Sequence, residues 1–237
     1  MSNNHLPLDK NHTGFEQVKD LLAKKMRISL PHGALEQIAA CRKYLDDKMD
    51  NSDALFYGIN TGFGFLQNVQ IDKTQLKELQ SNLIKSHACG MGEEVPVDIV
   101  KLMMALKIKS LSYGYSGVQT ATVERLMDMY NNDVLPVIYT QGSLGASGDL
   151  APLSHLSLPL LGLGEVNHTE KKMPAAEVLK KFNWQPIELK SKEGLALING
   201  TQFMSAYGLH NLIQCDRLIK WTNIIAAISF DAFDCTT

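Results

Sequence analysis

The residues best able to do chemistry sit in three glycine-containing segments. Tyr57-Gly58-Ile59-Asn60-Thr61-Gly62-Phe63-Gly64 carries a phenol on a loop. The stretch from Gly142 to His155 carries Ala146-Ser147-Gly148-Asp149, and Leu197-Ile198-Asn199-Gly200-Thr201-Gln202 carries a side-chain amide at an Asn-Gly turn. Familiar chemistries fail on spacing. The first segment holds a G-x-G, but Gln67 stands where a dinucleotide fingerprint needs its third glycine. Gly142, Gly145 and Gly148 are three apart with no Lys-Ser/Thr after them, which excludes a P-loop, and Ser147 lacks the G-x-S-x-G frame of a hydrolase elbow. There is no H-E-x-x-H. Cys41, Cys89, Cys215 and Cys235 are too dispersed for structural zinc or a disulfide framework and read as reduced core thiols. Taken alone, Ala146-Ser147-Gly148-Asp149 also reads as a plain Gly/Ser loop before a helix.

Taken together and in this order, the three segments resemble those of the aromatic amino acid ammonia-lyase family, and most closely its histidine-specific members. The resemblance covers essentially the whole chain, but family members run substantially longer, so the sequence is expected to be an N-terminal portion. Its implied reaction is the non-oxidative deamination of L-histidine to urocanate and ammonia, the first step of histidine degradation. That reaction removes a weakly acidic β-proton and a poor leaving group, so it needs an electrophile and a base together. No ordinary side chain is an electrophile.

In the family, Ala-Ser-Gly cyclises autocatalytically and loses two waters to give 4-methylidene-imidazol-5-one, and the resemblance assigns this cofactor to Ala146, Ser147 and Gly148. Ser147 would supply the exocyclic methylene; Gly148, without a Cβ, lets its amide approach the Ala146 carbonyl. Asp149 is expected to cap the helix beginning near Leu150 or to assist the dehydration. Tyr57 matches the family's essential tyrosine as base for the β-proton. A free tyrosine has a pKa of about 10, so the site must lower it. Asn199 is expected to hydrogen-bond the ring or the substrate carboxylate. Ser86 and His87 match the selectivity position of histidine-specific members, where phenylalanine and tyrosine lyases carry Phe-Leu or His-Leu. Gly64 is expected to touch substrate as the loop folds over it. No dissociable cofactor and no metal are implied. The implied partners are the small-molecule substrate and other copies of the chain in a homotetramer. Alternatives within the resemblance are a phenylalanine or tyrosine lyase or an aminomutase, and outside enzymes a silent helical association fragment. The chain alone is expected to associate and to release little ammonia.

Composition agrees with a folded domain. The 237 residues are 45% hydrophobic and 20% charged, enough to bury a sizeable core. A net charge of -2 lacks the electropositive surplus of a nucleic-acid binder. The polar first eleven residues and the short apolar runs predict neither a leader nor a membrane span, and the default location is the cytoplasm.

The elements that must position these segments are mostly helical. Apolar spacing at Phe15, Val18, Leu21 and Leu22, and at Leu35, Ile38, Arg42 and Leu45, predicts two early helices, with the stem of Arg42 finishing the second stripe. Asp72 with Gln75 predicts a capping box before a helix through Leu76, Leu79, Leu83 and His87 that Gly90 ends. Pro96 opens the next helix through Leu102, Met103 and Leu106, and Ser116 with Gln119 repeats the capping pattern before Thr122, Leu126 and Tyr130. Residues 134–140 are β-rich and lead into the Gly/Ser loop, 141–149, with a helix from Leu150. Residues 162–192 predict a small α/β excursion: a turn at Asn167-His168-Thr169, a helix over 174–181 and a strand over 184–189. From Gly200 the pattern is helical and apolar on nearly every side through Trp221, Ile224, Ile225, Ile228 and Phe230, the mark of a buried helix. The expected fold is mainly α. A catalytic domain over 1–200 carries the loop and leads into a long-helix bundle that begins at 201–237 and is truncated here.

Overall fold

The computed structural model describes residues 5–52 and 54–236. Its elements are β1 (His5–Pro7), α1 (Phe15–Ala23), β2 (Arg27–Ser29), α2 (His32–Asp50), α3 (Leu76–His87), β3 (Met91–Glu94), α4 (Val97–Ser112), α5 (Thr120–Asn131), β4 (Leu135–Pro136), β5 (Tyr139–Gln141), α6 (Leu150–Ser157), β6 (Glu165–His168), β7 (Lys171–Pro174), α7 (Ala175–Lys181), α8 (Glu193–Ile198) and α9 (Gln202–Ala232). The fold is mainly α.

α4 is the spine. Val100, Leu102, Met103, Met104, Ile108 and Leu111 are all buried, because this helix is apolar around most of its circumference and must be enclosed. Burying each such side chain contributes roughly 1.5–3 kcal/mol before the entropy of ordering it. α9 buries Phe203, Ala206 and Ile213 and packs against α4 and α6. Beyond Ile213 the outcome departs from the pattern's prediction: Leu218, Trp221, Ile225, Ile228 and Phe230 are exposed, so an all-round apolar helix is covered by this chain only over its first turns.

Small sheets hold the edges together. β1 and β2 pair in parallel, β3 with β5 antiparallel, and β4, β6 and β7 form an antiparallel sheet. The β6–β7 hairpin turns through Thr169 and Glu170, both at positive φ, one residue later than the predicted Asn167-His168-Thr169 turn. Residues 184–189 form no strand. Trp184 stacks on Phe182 at 4.5 Å, Arg125 covers its ring, and the Ile187 amide donates to Leu160 O, so this segment is held by contacts other than a ladder.

The helix starts also differ in detail. Asp72 caps a single 3₁₀ turn, Lys73–Gln75, by accepting from Thr74 N, and α3 follows it. Ser116 and Gln119 make no capping box; Gln119 is itself the residue before α5, and its amide and side chain donate to the buried Glu193. Arg42 does more than complete an apolar stripe: its guanidinium is buried and donates to Gly117 O, Ser191 O and Asp46. All four cysteines are free, but Cys89, Cys215 and Cys235 are exposed and Cys41 is only half-buried, so they are not core thiols.

Candidate active site

The loop at residues 142–149 is held at both ends by backbone. At its start, β5 pairs with β3 through Met91 and Gln141, which brings the end of α3 alongside it. At its end, the Asp149 amide donates to Gly200 O at 2.7 Å. Gly148 has φ +113°, and a Cβ there would lie 2.9 Å from both Gly200 N and Gly200 O and 3.1 Å from Asn199 Oδ1. Only glycine permits that backbone angle and that contact. Gly148 and Asp149 are therefore packed on the Asn199-Gly200 turn, distant in sequence, while Ala146 and Ser147 just before them are exposed.

Asp149 is 2% exposed and both its oxygens are used. Ser143 Oγ donates to Oδ1 at 2.9 Å and Met204 N donates to Oδ2 at 3.0 Å. Met204 lies in the first turn of α9, so the carboxylate satisfies a free amide of that helix and meets its positive end. The expectation that it caps the helix beginning at Leu150 is corrected: no side-chain cap is made to α6. Pro152 sits in the first turn of α6, where a missing N–H costs nothing.

Beside this unit lies a cavity of about 150 Å³ lined by His87, Cys89, Gly142, Leu144, Ser147, Gly148, Leu150 and Ala151. His87 Nδ1 is 2.9 Å from Leu83 O. A carbonyl only accepts, so Nδ1 carries the proton in the neutral ring and Nε2 is left as the acceptor. Ser86 does not line the cavity. Its hydroxyl turns back onto α3, donating to Leu83 O at 3.0 Å, and lies 3.1 Å from His87 Nδ1.

The Tyr57 loop reaches this region through α8. Gly58, at φ +69°, packs so closely on Leu195 that a Cβ would sit 2.6 Å from its Cδ2. Tyr57 itself is 56% exposed and rests edge-on against Phe63 at 6.0 Å. Its hydroxyl accepts from Gly64 N at 3.4 Å, inside its own loop, and it does not line the cavity of Ser147 and His87. Asn199, the C-cap of α8, is exposed with its amide oxygen toward Gly148.

Three residues that position these groups were not singled out by motif. Glu193, fully buried at the start of α8, accepts from Gln119 N, Gln119 Nε2, Thr122 Oγ1 and Lys190 N. Lys107, 1% exposed in α4, donates to Ala196 O at 2.7 Å and Asn199 O at 3.1 Å, and burial lowers its pKa to about 7. His155 Nε2 accepts from Gly90 N at 3.0 Å, and burial lowers its pKa. The signal for Lys107 was present: a charged residue within the apolar run Leu102-Met103-Met104-Ala105-Leu106 and Ile108.

The sequence profile for aromatic amino acid lyases matches residues 14–237. A histidine ammonia-lyase of Deinococcus radiodurans is 45% identical over 217 residues, covering 92% of this chain and 41% of that protein. One of Staphylococcus aureus is 42% identical over 229 residues, covering 97% and 45%. The crystal structure of histidine ammonia-lyase from Trypanosoma cruzi superposes with a TM-score of 0.89 at 35% identity, over 98% of this chain and 44% of that one. A tyrosine aminomutase from Streptomyces globisporus superposes with a TM-score of 0.80 at 33% identity, over 86% and 38%. The chain thus spans less than half the length of the curated relatives it matches.

Proposed function

From the premise that this chain belongs to the aromatic amino acid lyase family, we propose that it carries the prosthetic-group loop and part of the substrate site of a histidine ammonia-lyase, converting L-histidine to urocanate and ammonia. The observation that carries the reading is the packing of Gly148 and Asp149 on Asn199 and Gly200, next to the cavity that His87 and Ser147 share. The residues fit a ring made from Ala146, Ser147 and Gly148, since the position whose nitrogen must close it is one where a Cβ could not be accommodated. Once formed, that group supplies the electrophile the side chains lack.

The chain's own residues supply the rest. Asp149, locked by Ser143 and Met204, fixes the end of the loop. Tyr57 Oη takes the β-proton of the substrate. Its exposure and its weak contact with Gly64 leave it free to swing toward substrate as the loop closes, with Gly64 following. Asn199 donates its amide to the ring or to the substrate carboxylate. His87 Nε2 accepts from the substrate imidazole N–H, which selects histidine over an apolar ring, while Ser86 orients His87 rather than touching substrate.

The same reading sets the boundary between the catalytic domain and the helical bundle near residue 200, makes the working form a cytoplasmic homotetramer and leaves the isolated chain with little turnover. Self-association is supported by the exposed apolar side chains of α9. Among the described residues no helix is long and apolar enough to cross a membrane.

Peptide mass spectrometry tests the proposal. The peptide containing Ala146, Ser147 and Gly148 should be lighter than its sequence by two waters, and Ser147→Ala should give a peptide of the mass its own sequence requires, without that deficit. A full-mass peptide in protein that deaminates histidine would refute the assignment.

A further inference from the structure

The Asn199–Gly200 turn is fastened from below. α8 is a single short helix, and its last carbonyls have no intrahelical donors. Lys107 rises from the middle of α4, a helix buried over most of its length, and its Nζ reaches two carbonyls of that end, Ala196 O at 2.7 Å and Asn199 O at 3.1 Å. A lysine 1% exposed with no carboxylate partner among the described residues is costly to keep charged, as its lowered pKa reflects. A neutral amine still has two N–H bonds, one for each carbonyl, so the fastening persists in either protonation state. A leucine or methionine would fill this apolar position without that cost; what lysine adds is a pair of donors at one place on the backbone.

That place is next to the loop. Gly200 O receives the Asp149 amide at 2.7 Å, and Gly148 lies against Gly200 and Asn199 Oδ1. We infer that Lys107 is a positioning residue whose amine ties down the Asn199–Gly200 turn and thereby holds residues 146–148 in register for ring closure. The first half stands on the geometry alone, and the second rests on the function proposed above.

The test uses the full chain with Lys107→Met, which keeps the stem and removes the donors, and reads amide exchange by mass spectrometry together with the mass of the 146–148 peptide. Exchange should rise about tenfold or more at Asn199 and Asp149, whose amides donate to Leu195 O and Gly200 O, the scale of one lost hydrogen bond, and stay unchanged in α5. The two-water deficit should appear about tenfold more slowly than in the unchanged chain. Unchanged exchange at these amides in a folded variant would overturn the inference. A uniform rise across the fold would do the same, since Lys107 would then serve packing in general. Should Lys107→Met fail to fold, Lys107→Gln replaces it, because its shorter amide cannot span both carbonyls; the same local rise supports the inference and its absence overturns it. If the unchanged chain shows no deficit, the ring reading fails by itself, and the exchange pattern alone judges the role of Lys107.

Discussion

The Asp149 amide donates to the Gly200 carbonyl across 2.7 Å, and the Asp149 carboxylate receives Met204 N four residues further on. A single residue thus joins the end of the glycine loop to both the Asn-Gly turn and the first turn of α9. Substitutions around this junction should therefore act on the loop and on the helix start together.

Gly148→Ala is the sharpest such change. The added Cβ would meet Gly200 N and O at 2.9 Å, in a backbone conformation with φ +113° that L side chains resist. A loss of stability of about 1–3 kcal/mol is expected, with exchange rising at the Asp149 amide that donates to Gly200 O. Urea unfolding measures the first and amide exchange the second. A variant as stable as its parent would mean that the two segments separate at no cost.

Tyr57→Phe should behave in the opposite way. The hydroxyl has one weak contact, Gly64 N at 3.4 Å, and the residue is largely exposed, so stability should change by less than about 0.5 kcal/mol. Turnover of histidine, read as urocanate absorbance in the protein extended to the length of its relatives, should fall at least about a hundredfold. Retained turnover would make Tyr57 a packing residue of its loop.

Replacing Ser86 and His87 by Phe and Leu should shift preference from histidine to phenylalanine, because the acceptor Nε2 and the hydroxyl that orients it are both removed. The ratio of kcat/KM for the two amino acids is the measurement. His87→Leu alone should produce most of the shift, since only His87 lines the cavity.

His155 predicts an acid-side loss of stability. Burial holds its folded pKa below the ordinary 6.5, so between the two values the unfolded chain binds more protons, and stability falls as pH drops below about 6.5. Protonation of Nε2 also removes the acceptor of Gly90 N, loosening the turn after α3. His155→Phe should flatten this part of the stability profile, and acidification of the parent should raise exchange at Gly90 once intrinsic rates are divided out. Parallel profiles for parent and variant would contradict the assignment.

The exposed apolar stripe of α9 predicts self-association. Ile225 and Ile228, three residues apart, share one side of the helix and are both largely exposed. Sizing should show a concentration-dependent assembly that Ile225→Lys with Ile228→Lys shifts toward single chains. A monomer at all concentrations would show that this face has no copy of the chain as its partner.

What the sequence determined by itself was local. Periodicity at Leu76, Leu83, Leu102, Met103 and Leu126 located α3, α4 and α5, because a helix is stabilised by residues three and four apart and its pattern survives without knowledge of neighbours. The helix after the glycine loop and the place of His87 on its helix were legible for the same reason, while the Ala146-Ser147-Gly148-Asp149 loop itself was legible from its glycines and its companion segments. Tertiary structure decided every relation between distant segments. The β1–β2 pair depends on a partner far along the chain, and residues 184–189, strand-like in composition, are held instead by Phe182, Arg125 and Leu160. That Asp149 serves α9 rather than α6, that Ser86 turns away while His87 faces the cavity, and that Lys107 reaches the end of α8 all depend on which donors and acceptors the packed fold brings within 3 Å or so of each other. A hydrogen bond between residues distant in sequence leaves no periodic trace, so only the folded chain reveals it.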